Sequence, residues 1–383
     1  MKTQESPQNR LASCRLRIDE IDDALLELFQ ERMRTASEVA DCKRIMGKDI
    51  FDPVREQQRI DDMTESADPQ FADAVAPLWL MLMELSRSHQ HKLLNTGSDY
   101  PVPQFGPLSE FHTTACQGVE GAYSQQAARA LLPHATLEFT DTWEEVCERV
   151  INGSVHSGIL PLENNTAGSV DRVYDLLDKG NLYITGSIRL GIHHDLLAKP
   201  GTKISEIKEI YSHEQALRQS QHFIEGLGDD IHATILGNTA MAAKEVALSA
   251  RTDVAAISSA ACAELYSLET LARDVQDLEQ NFTRFVCIAR NPRITPDADR
   301  SSFLLVLPHQ PGSLYRALAR IAALGINMLK LESRPIPGSE FEFMFYVDIE
   351  GTMADEAVRA LAMQLETMCE RFVYLGSYAE VVA

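Results

Sequence analysis

The chain has 383 residues, 45% apolar and 24% charged, with a formal net charge of −21. That is a globular composition long enough for two or three domains, and the acidic balance argues against nucleic acid and anionic membrane surfaces as partners. Seven scattered cysteines without a CxxC pair, no apolar run near the roughly 18 residues of a membrane span, and an opening (residues 1–7) without a signal-peptide core predict a cytoplasmic protein with free thiols and no zinc framework.

Residues 11–46 read as one long helix. Its inward stripe runs Ile18, Ile21, Leu25, Leu28, then Arg32, Thr35, Val39 and Lys43, in steps of three and four. Arg32 and Lys43 fall ~20° apart around the axis and ~16 Å apart along it. Buried cations need partners, so the stripe implies either an anionic ligand or interior salt bridges and snorkelling side chains. About 35 residues make a rod of ~52 Å, against ~33 Å for a compact domain of about 95 residues. The overshoot predicts an interlocked homodimer in which the same helix of a second chain covers the excess. Arg15 stands ~100° round the axis from Arg32 and ~25 Å away, placed for the partner's site.

Asp52 before Pro53 reads as the cap of a second helix, to about residue 66. A third spans 71–94 with Phe71, Val75, Leu78, Leu82 and Leu85 inward, and with Ser86 and Gln90 on one face. Residues 95–110 are the clearest linker. From 111 to 290, strands expected at 134–139, 156–161, 182–193, 207–211, 231–236, 253–257 and 284–290 alternate with helices at 122–131, 142–152, 168–179, 213–226, 238–250 and 258–267. That order predicts α/β architecture with mostly parallel sheets in two lobes around a cleft. A second linker (291–300) precedes a βαββαβ series with a hairpin at 335–340, a ferredoxin-like α+β unit.

Three sets of motifs resemble known families. In LRIDEIDDALLELFQER and FDPVRE, Arg15, Arg32, Lys43, Asp52, Arg55, Glu56, Ser86 and Gln90 fall at the spacing of the all-helical chorismate mutases. The resemblance implies a [3,3] rearrangement of chorismate to prephenate without a nucleophile or acid–base step. It assigns Arg32 and the other chain's Arg15 to the carboxylates, with Arg55 nearby, and Lys43 and Gln90 to the ether oxygen. Glu56 and Asp52 would hold the hydroxyl and nearby polar groups.

Gly118-Val-Glu-Gly-Ala-Tyr123-Ser124, Pro161-Leu-Glu163-Asn164-Asn-Thr166, Ser212-His213 with Gln215 and Gln219, Asn238-Thr239-Ala240, and Asn281-Phe-Thr283-Arg284-Phe285 together resemble the prephenate dehydratases. That family's fold is two-lobed and periplasmic-binding-protein-like, and its reaction turns prephenate into phenylpyruvate, CO₂ and water. The glycine loop lacks the Gly–Pro of many relatives. Thr283 is expected to assist departure of hydroxide by a directed hydrogen bond or a relay. Glu163, Asn164, Ser212 and Gln219 orient the substrate, with Tyr123, Ser124 and Thr239 at its binding surface. Arg284 either meets a substrate carboxylate or forms a structural ion pair. No metal or redox cofactor is required.

Pro311-Gly312-Ser313-Leu314 and Leu331-Glu332-Ser333-Arg334-Pro335 resemble the amino-acid-binding elements of a regulatory ACT domain, implying L-phenylalanine as effector. The implied domains are 8–97, 111–290 and 300–383, in a homodimer or higher homo-oligomer. Two competing readings remain: a solute-binding or sensor protein of the same two-lobed architecture, and a dehydratase with a vestigial mutase.

Overall fold

Ser6 accepts a bond from the Asn9 amide (3.3 Å) and Pro7 follows, so the first helix, α1 (Pro7–Met46), starts with a side-chain cap and a residue that has no N–H to satisfy. It ends where Gly47 turns left-handed (φ 62°) and bonds back to Arg44 and Lys43. Asp52 caps α2 (Pro53–Ser66) in the same way, and α3 (Ala72–Leu94) carries Pro77 in its second turn. The computed structural model describes residues 6–48, 50–94, 100–228, 230–278, 280–336 and 343–383. Part of the first linker (95–99) and most of the expected hairpin (337–340) lie outside the described residues, as do the first five residues.

The chain forms two compact units: residues 1–101, 307–327 and 356–370 make the first, and 102–306, 328–355 and 371–383 the second. In the first unit, α3 packs against α1 and α2 and against the helices Ser313–Ala323 and Glu356–Met368. The expected burial of the α1 stripe is not met within one chain. Ile18, Ile21, Leu25 and Leu28 are 46–63% exposed, and only Ala36 and Ala40 of α1 are buried. The cause is length, because α1 runs beyond the helices that could cover it.

The second unit holds three sheets. A seven-stranded sheet runs Glu380–Val382, Tyr183–Gly191, Phe282–Ala289, Ser157–Asn164, Thr113–Gln117, Thr136–Thr140, with Gly168–Ser169 on the side of Ser157–Asn164. A five-stranded sheet runs Glu269–Ala272, Asp195–Ala198, Val254–Ser258, Glu209–Ser212, His232–Ile235. These are the two lobes. Their sheets are mixed, a correction to the mostly parallel expectation. The βαβ portions pair in parallel, but the chain crosses between lobes twice, at 191–195 and 272–282, and the strands flanking each crossing pair antiparallel. Thr113–Gln117, Asp195–Ala198, Glu269–Ala272 and Glu380–Val382 are strands outside the expected set, and the expected helix 213–226 breaks at Ser220.

In the third sheet, the segment's own four strands lie in the order Arg371–Tyr378, Arg300–Val306, Phe343–Glu350, Met328–Pro335, all antiparallel, as a ferredoxin-like unit requires. The two linkers are not plain coil: Arg293–Ile294 and Gln104–Phe105 extend this sheet in parallel. Leu160, Ile184 and Val286 of the seven-stranded sheet share one core with Leu304, Tyr346 and Tyr378 of this one. The second unit is therefore welded by apolar packing as well as by the ion pairs described next.

Candidate active sites

A cleft of about 710 Å³ opens in the second unit, lined from both lobes by Tyr123, Ser124, Asn164, Gln219, Thr239 and Thr283, six of the nine expected dehydratase residues. Its floor is the strand pair Ser157–Asn164 and Phe282–Ala289, in which Thr283 lies opposite Asn164. Gly121, φ 92°, sits in the loop before the helix Tyr123–Leu131; a Cβ there would meet Cys262 Sγ at 2.7 Å, so only glycine allows this approach.

The polarity of the cleft's hydrogen bonds follows from two backbone donors. Asn164 Oδ1 accepts from the amides of Thr166 (3.0 Å) and Ala167 (2.9 Å), which fixes the side-chain orientation. Its Nδ2 therefore shares its two hydrogens among Asn281 Oδ1 (2.8 Å), the Phe282 carbonyl (3.0 Å) and Thr283 Oγ1 (3.0 Å). Asn281 Nδ2 in turn donates to Gln219 Oε1 (3.0 Å), which lies 3.2 Å from His194 Nε2. His194 must then carry its proton on Nε2, with Nδ1 3.2 Å from the oxygen of Tyr123, whose hydroxyl donates to the His193 carbonyl. Burial pushes the His194 imidazole down to about 4, so the ring is neutral at pH 7. Thr283 is left as acceptor from Asn164 with its own hydrogen free to donate.

Three expected substrate contacts do not line the cleft. Ser212 is fully buried and donates to the Ile257 carbonyl (2.6 Å), tying neighbouring strands. Arg284 follows Thr283 on a strand, so the pleat turns it to the opposite face. There it meets Asp348 (2.7 Å), Glu380 (3.0 Å), Glu163 (3.1 Å) and the hydroxyls of Tyr378 (2.7 Å) and Ser187 (3.1 Å). Burial disfavours its charge, but Tyr378, Asp348 and Glu380 reverse that and hold it firmly cationic. Glu163 is drawn to the same face, shared between Arg284 and Lys330, whose ammonium also reaches Glu332 (2.8 Å). The structural ion pair, not the carboxylate contact, is the reading that fits Arg284. His194 and Trp143, which also line the cleft, were not singled out by the motifs; the doublet His193-His194 just after the strand Tyr183–Gly191 was the available signal for the first.

In the first unit, Arg32 on α1 donates to the Leu82 carbonyl (2.9 Å) and to Ser86 Oγ, and Lys43 to the Ile50 carbonyl. Burial lowers the Arg32 pKa against the attraction of Glu56. Burial likewise raises that of Glu56, opposed by Arg87 and Lys43. Gln90 is buried, and its Oε1 has no hydrogen-bond partner. Asp52 is committed to capping α2 through the Arg55 amide (3.1 Å), and Arg15 and Arg55 are exposed. Arg32, Lys43, Glu56, Ser86 and Gln90 are the residues gathered here; Arg87, which bonds Glu56, was missed.

Of the effector-motif residues, Gly312 (φ 78°), Ser313 and Leu314 begin a helix of the first unit, whereas Glu332, Ser333 and Arg334 lie on a strand of the second. Glu332 pairs with Lys330, and Arg334 with Asp171 (3.2 Å) and Asp175 (3.1 Å). Among the described residues no group of three or more His, Cys, Asp or Glu is placed to hold a metal ion, and no helix is long and apolar enough to cross a membrane.

A helical unit with half-buried cations and, in the other unit, a two-lobed cleft of fixed hydroxyl and amide donors define an enzyme that works by binding and polarising small anionic molecules. The chorismate mutase type II family model matches residues 14–91 and the prephenate dehydratase model residues 114–293. A bifunctional chorismate mutase/prephenate dehydratase of Enterobacter agglomerans is 32% identical over 386 residues, covering 97% of each chain. An arogenate dehydratase/prephenate dehydratase of Arabidopsis thaliana is 37% identical over 276 residues, 69% of this chain and 72% of its own. The crystal structure of prephenate dehydratase from Arthrobacter aurescens in complex with L-Phe superposes with a TM-score of 0.63 at 27% identity, covering 70% of this chain and 90% of that one. The chain belongs to the bifunctional chorismate mutase/prephenate dehydratase family. It converts chorismate to prephenate and prephenate to phenylpyruvate in L-phenylalanine biosynthesis, as an isomerase and a lyase in one chain.

Proposed function

We propose that Thr283 donates a directed hydrogen bond to the departing ring hydroxyl of prephenate. The observation that carries this is the Asn164 amide, which donates to Thr283 Oγ1 (3.0 Å) and leaves the threonine hydrogen to the substrate. Hydroxide is a poor leaving group, and a hydrogen bond that strengthens as it departs lowers the barrier while aromatisation drives the step. With Arg284 facing elsewhere, the substrate carboxylates fall to the N-termini of the helices Tyr123–Leu131 and Thr239–Leu248, which border the cleft with Ser124 and Thr239.

In the mutase, Arg32 and Arg15 of the partner subunit clamp the two carboxylates, Lys43 and Gln90 donate to the breaking ether oxygen, and Glu56 holds the hydroxyl. The exposed α1 stripe supports the interlocked dimer this requires. The domains are 8–97, 111–290 and 300–383. The last is an ACT domain that senses L-phenylalanine, a reading supported by its strand order and by the L-Phe in the Arthrobacter relative. Free thiols, Cys14 and Cys42 exposed among them, favour the cytoplasm.

The test feeds chorismate and prephenate separately to the wild type, Lys43→Ala and Thr283→Ala, with and without L-phenylalanine. Lys43→Ala should lose mutase turnover by roughly 10²–10³-fold and keep the dehydratase, with the reverse for Thr283→Ala. L-Phenylalanine should slow the wild type. Substitutions that depress both reactions together, or neither, would sink the assignment.

A further inference from the structure

Behind the mutase site lies a line of four buried or half-buried charges. Glu56 stands in the first turn of α2, and its Oε2 is taken by Arg87 of α3. The other arm of the same guanidinium holds Glu84, which is fully buried. The second oxygen of Glu84 meets Arg320 (3.1 Å) on the helix Ser313–Ala323, and Arg320 also donates to the Gln364 carbonyl (2.5 Å). Phe51 covers the Arg87 guanidinium, its ring centroid 4.7 Å from Cζ. Arg87 follows Ser86 by one residue, a rotation of about 100°, and stands about 60° from Gln90, so it lies at the edge of the face those two share.

A guanidinium at 3% exposure pays a large desolvation cost, and a planar fork gripping two carboxylates is the arrangement that offsets it. Both oxygens of Glu84 are engaged by the two arginines. The line therefore acts as a brace whose free end is Glu56 Oε1, the oxygen available to a substrate hydroxyl.

We propose that Arg87, anchored by Glu84 and Arg320, is a positioning residue of the mutase that holds Glu56 as an oriented carboxylate for the hydroxyl of chorismate. The inference rests on Glu56 belonging to the mutase site. The charged groups facing Glu56 are Arg32 and Lys43 from α1 and Arg87 and Glu84 from α3. Burial already raises the carboxyl of Glu56, and Arg87 opposes it. Without Arg87, burial and the like charge of Glu84 prevail, and Glu56 takes up a proton at higher pH.

Mutase kcat/KM of the full chain would be measured from pH 5 to 9 for the wild type, Arg87→Gln, Arg87→Lys, Glu56→Gln and Lys43→Ala, with Trp79 fluorescence in a Trp143→Phe background as the check on folding of the first unit. Arg87→Gln should lose roughly 10–100-fold at neutral pH, its acid limb moved upward so that activity recovers as pH rises. Arg87→Lys should keep the wild-type limb with a several-fold lower kcat/KM, because one ammonium cannot hold both carboxylates. A loss in Arg87→Gln by the same factor at every pH, or no loss, overturns the proposal. If Arg87→Gln does not fold, a profile and kcat/KM for Arg87→Lys identical to the wild type's overturn it equally. Wild-type activity in Glu56→Gln and Lys43→Ala would instead remove the site reading beneath it.

Discussion

Replacing Arg284 by methionine separates anchoring from substrate binding. The arginine side chain is 6% exposed, and its partners Asp348 and Glu380 are 10% and 7% exposed. Glu380 keeps Arg189 and Arg300, both at 3.1 Å, but Asp348 is left with the Ser302 hydroxyl (2.5 Å). Removing one member of such a buried pair costs about 3–5 kcal/mol, mostly for the charge left behind. In a unit of this size that corresponds to a fall in melting temperature of roughly 6–20 °C. The chain has two tryptophans, Trp79 in the first unit and Trp143 in the cleft of the second. In a Trp79→Phe background, Trp143 fluorescence therefore reports unfolding of the second unit alone. Arg284→Met should melt early in this assay, yet at 20 °C show a KM for prephenate within about threefold of the parent, since the lost interactions lie off the cleft. An unchanged melting temperature with KM raised tenfold or more would refute the reasoning and return the arginine to the substrate.

Two further outcomes are expected. Gln90→Glu should make the mutase dependent on acid, because glutamine donates at every pH whereas a carboxyl donates only when protonated; a flat profile for the variant would count against Gln90 as the ether-oxygen donor. His194, at about 4 in the folded chain against about 6.5 when unfolded, binds its proton more readily unfolded. Its contribution is thus fully present above pH 6.5 and is lost as pH falls toward 4, by about 3 kcal/mol at most. Comparing denaturation midpoints of the wild type and His194→Gln between pH 7 and 4.5 reads this directly: the gap should narrow with acid, and parallel curves would contradict it.

The helices of the first segment were legible because caps and period are local: Asp52 and Pro53 mark the start of α2 whatever packs around it. Most of the second segment's strands were legible for the same reason, those at 183–191 and 282–289 among them, although Thr113–Gln117 was not. The antiparallel pairing of 183–191 with 282–289 was not legible, since it joins residues about a hundred apart, and nothing local announces it. The α1 stripe was legible as a face that seeks cover, and within one chain it stays exposed, because composition does not specify which molecule supplies the cover.

Motifs misled where they were read as blocks, and periodicity corrects them. Thr283 and Arg284 are neighbours in one motif, yet a strand turns consecutive side chains to opposite faces, so the threonine and Phe285 border the cleft while the arginine anchors the strand from behind. Ser86 and Arg87 repeat the division on a helix: the serine takes Arg32 and the next residue grips Glu56 and Glu84. In both places a residue of a proposed site is followed by a buried arginine whose ion pairs fix the backbone carrying it. A donor that must be placed within a few tenths of an ångström needs such an anchor, and the adjacent position is the one that can supply it without occupying the substrate's space.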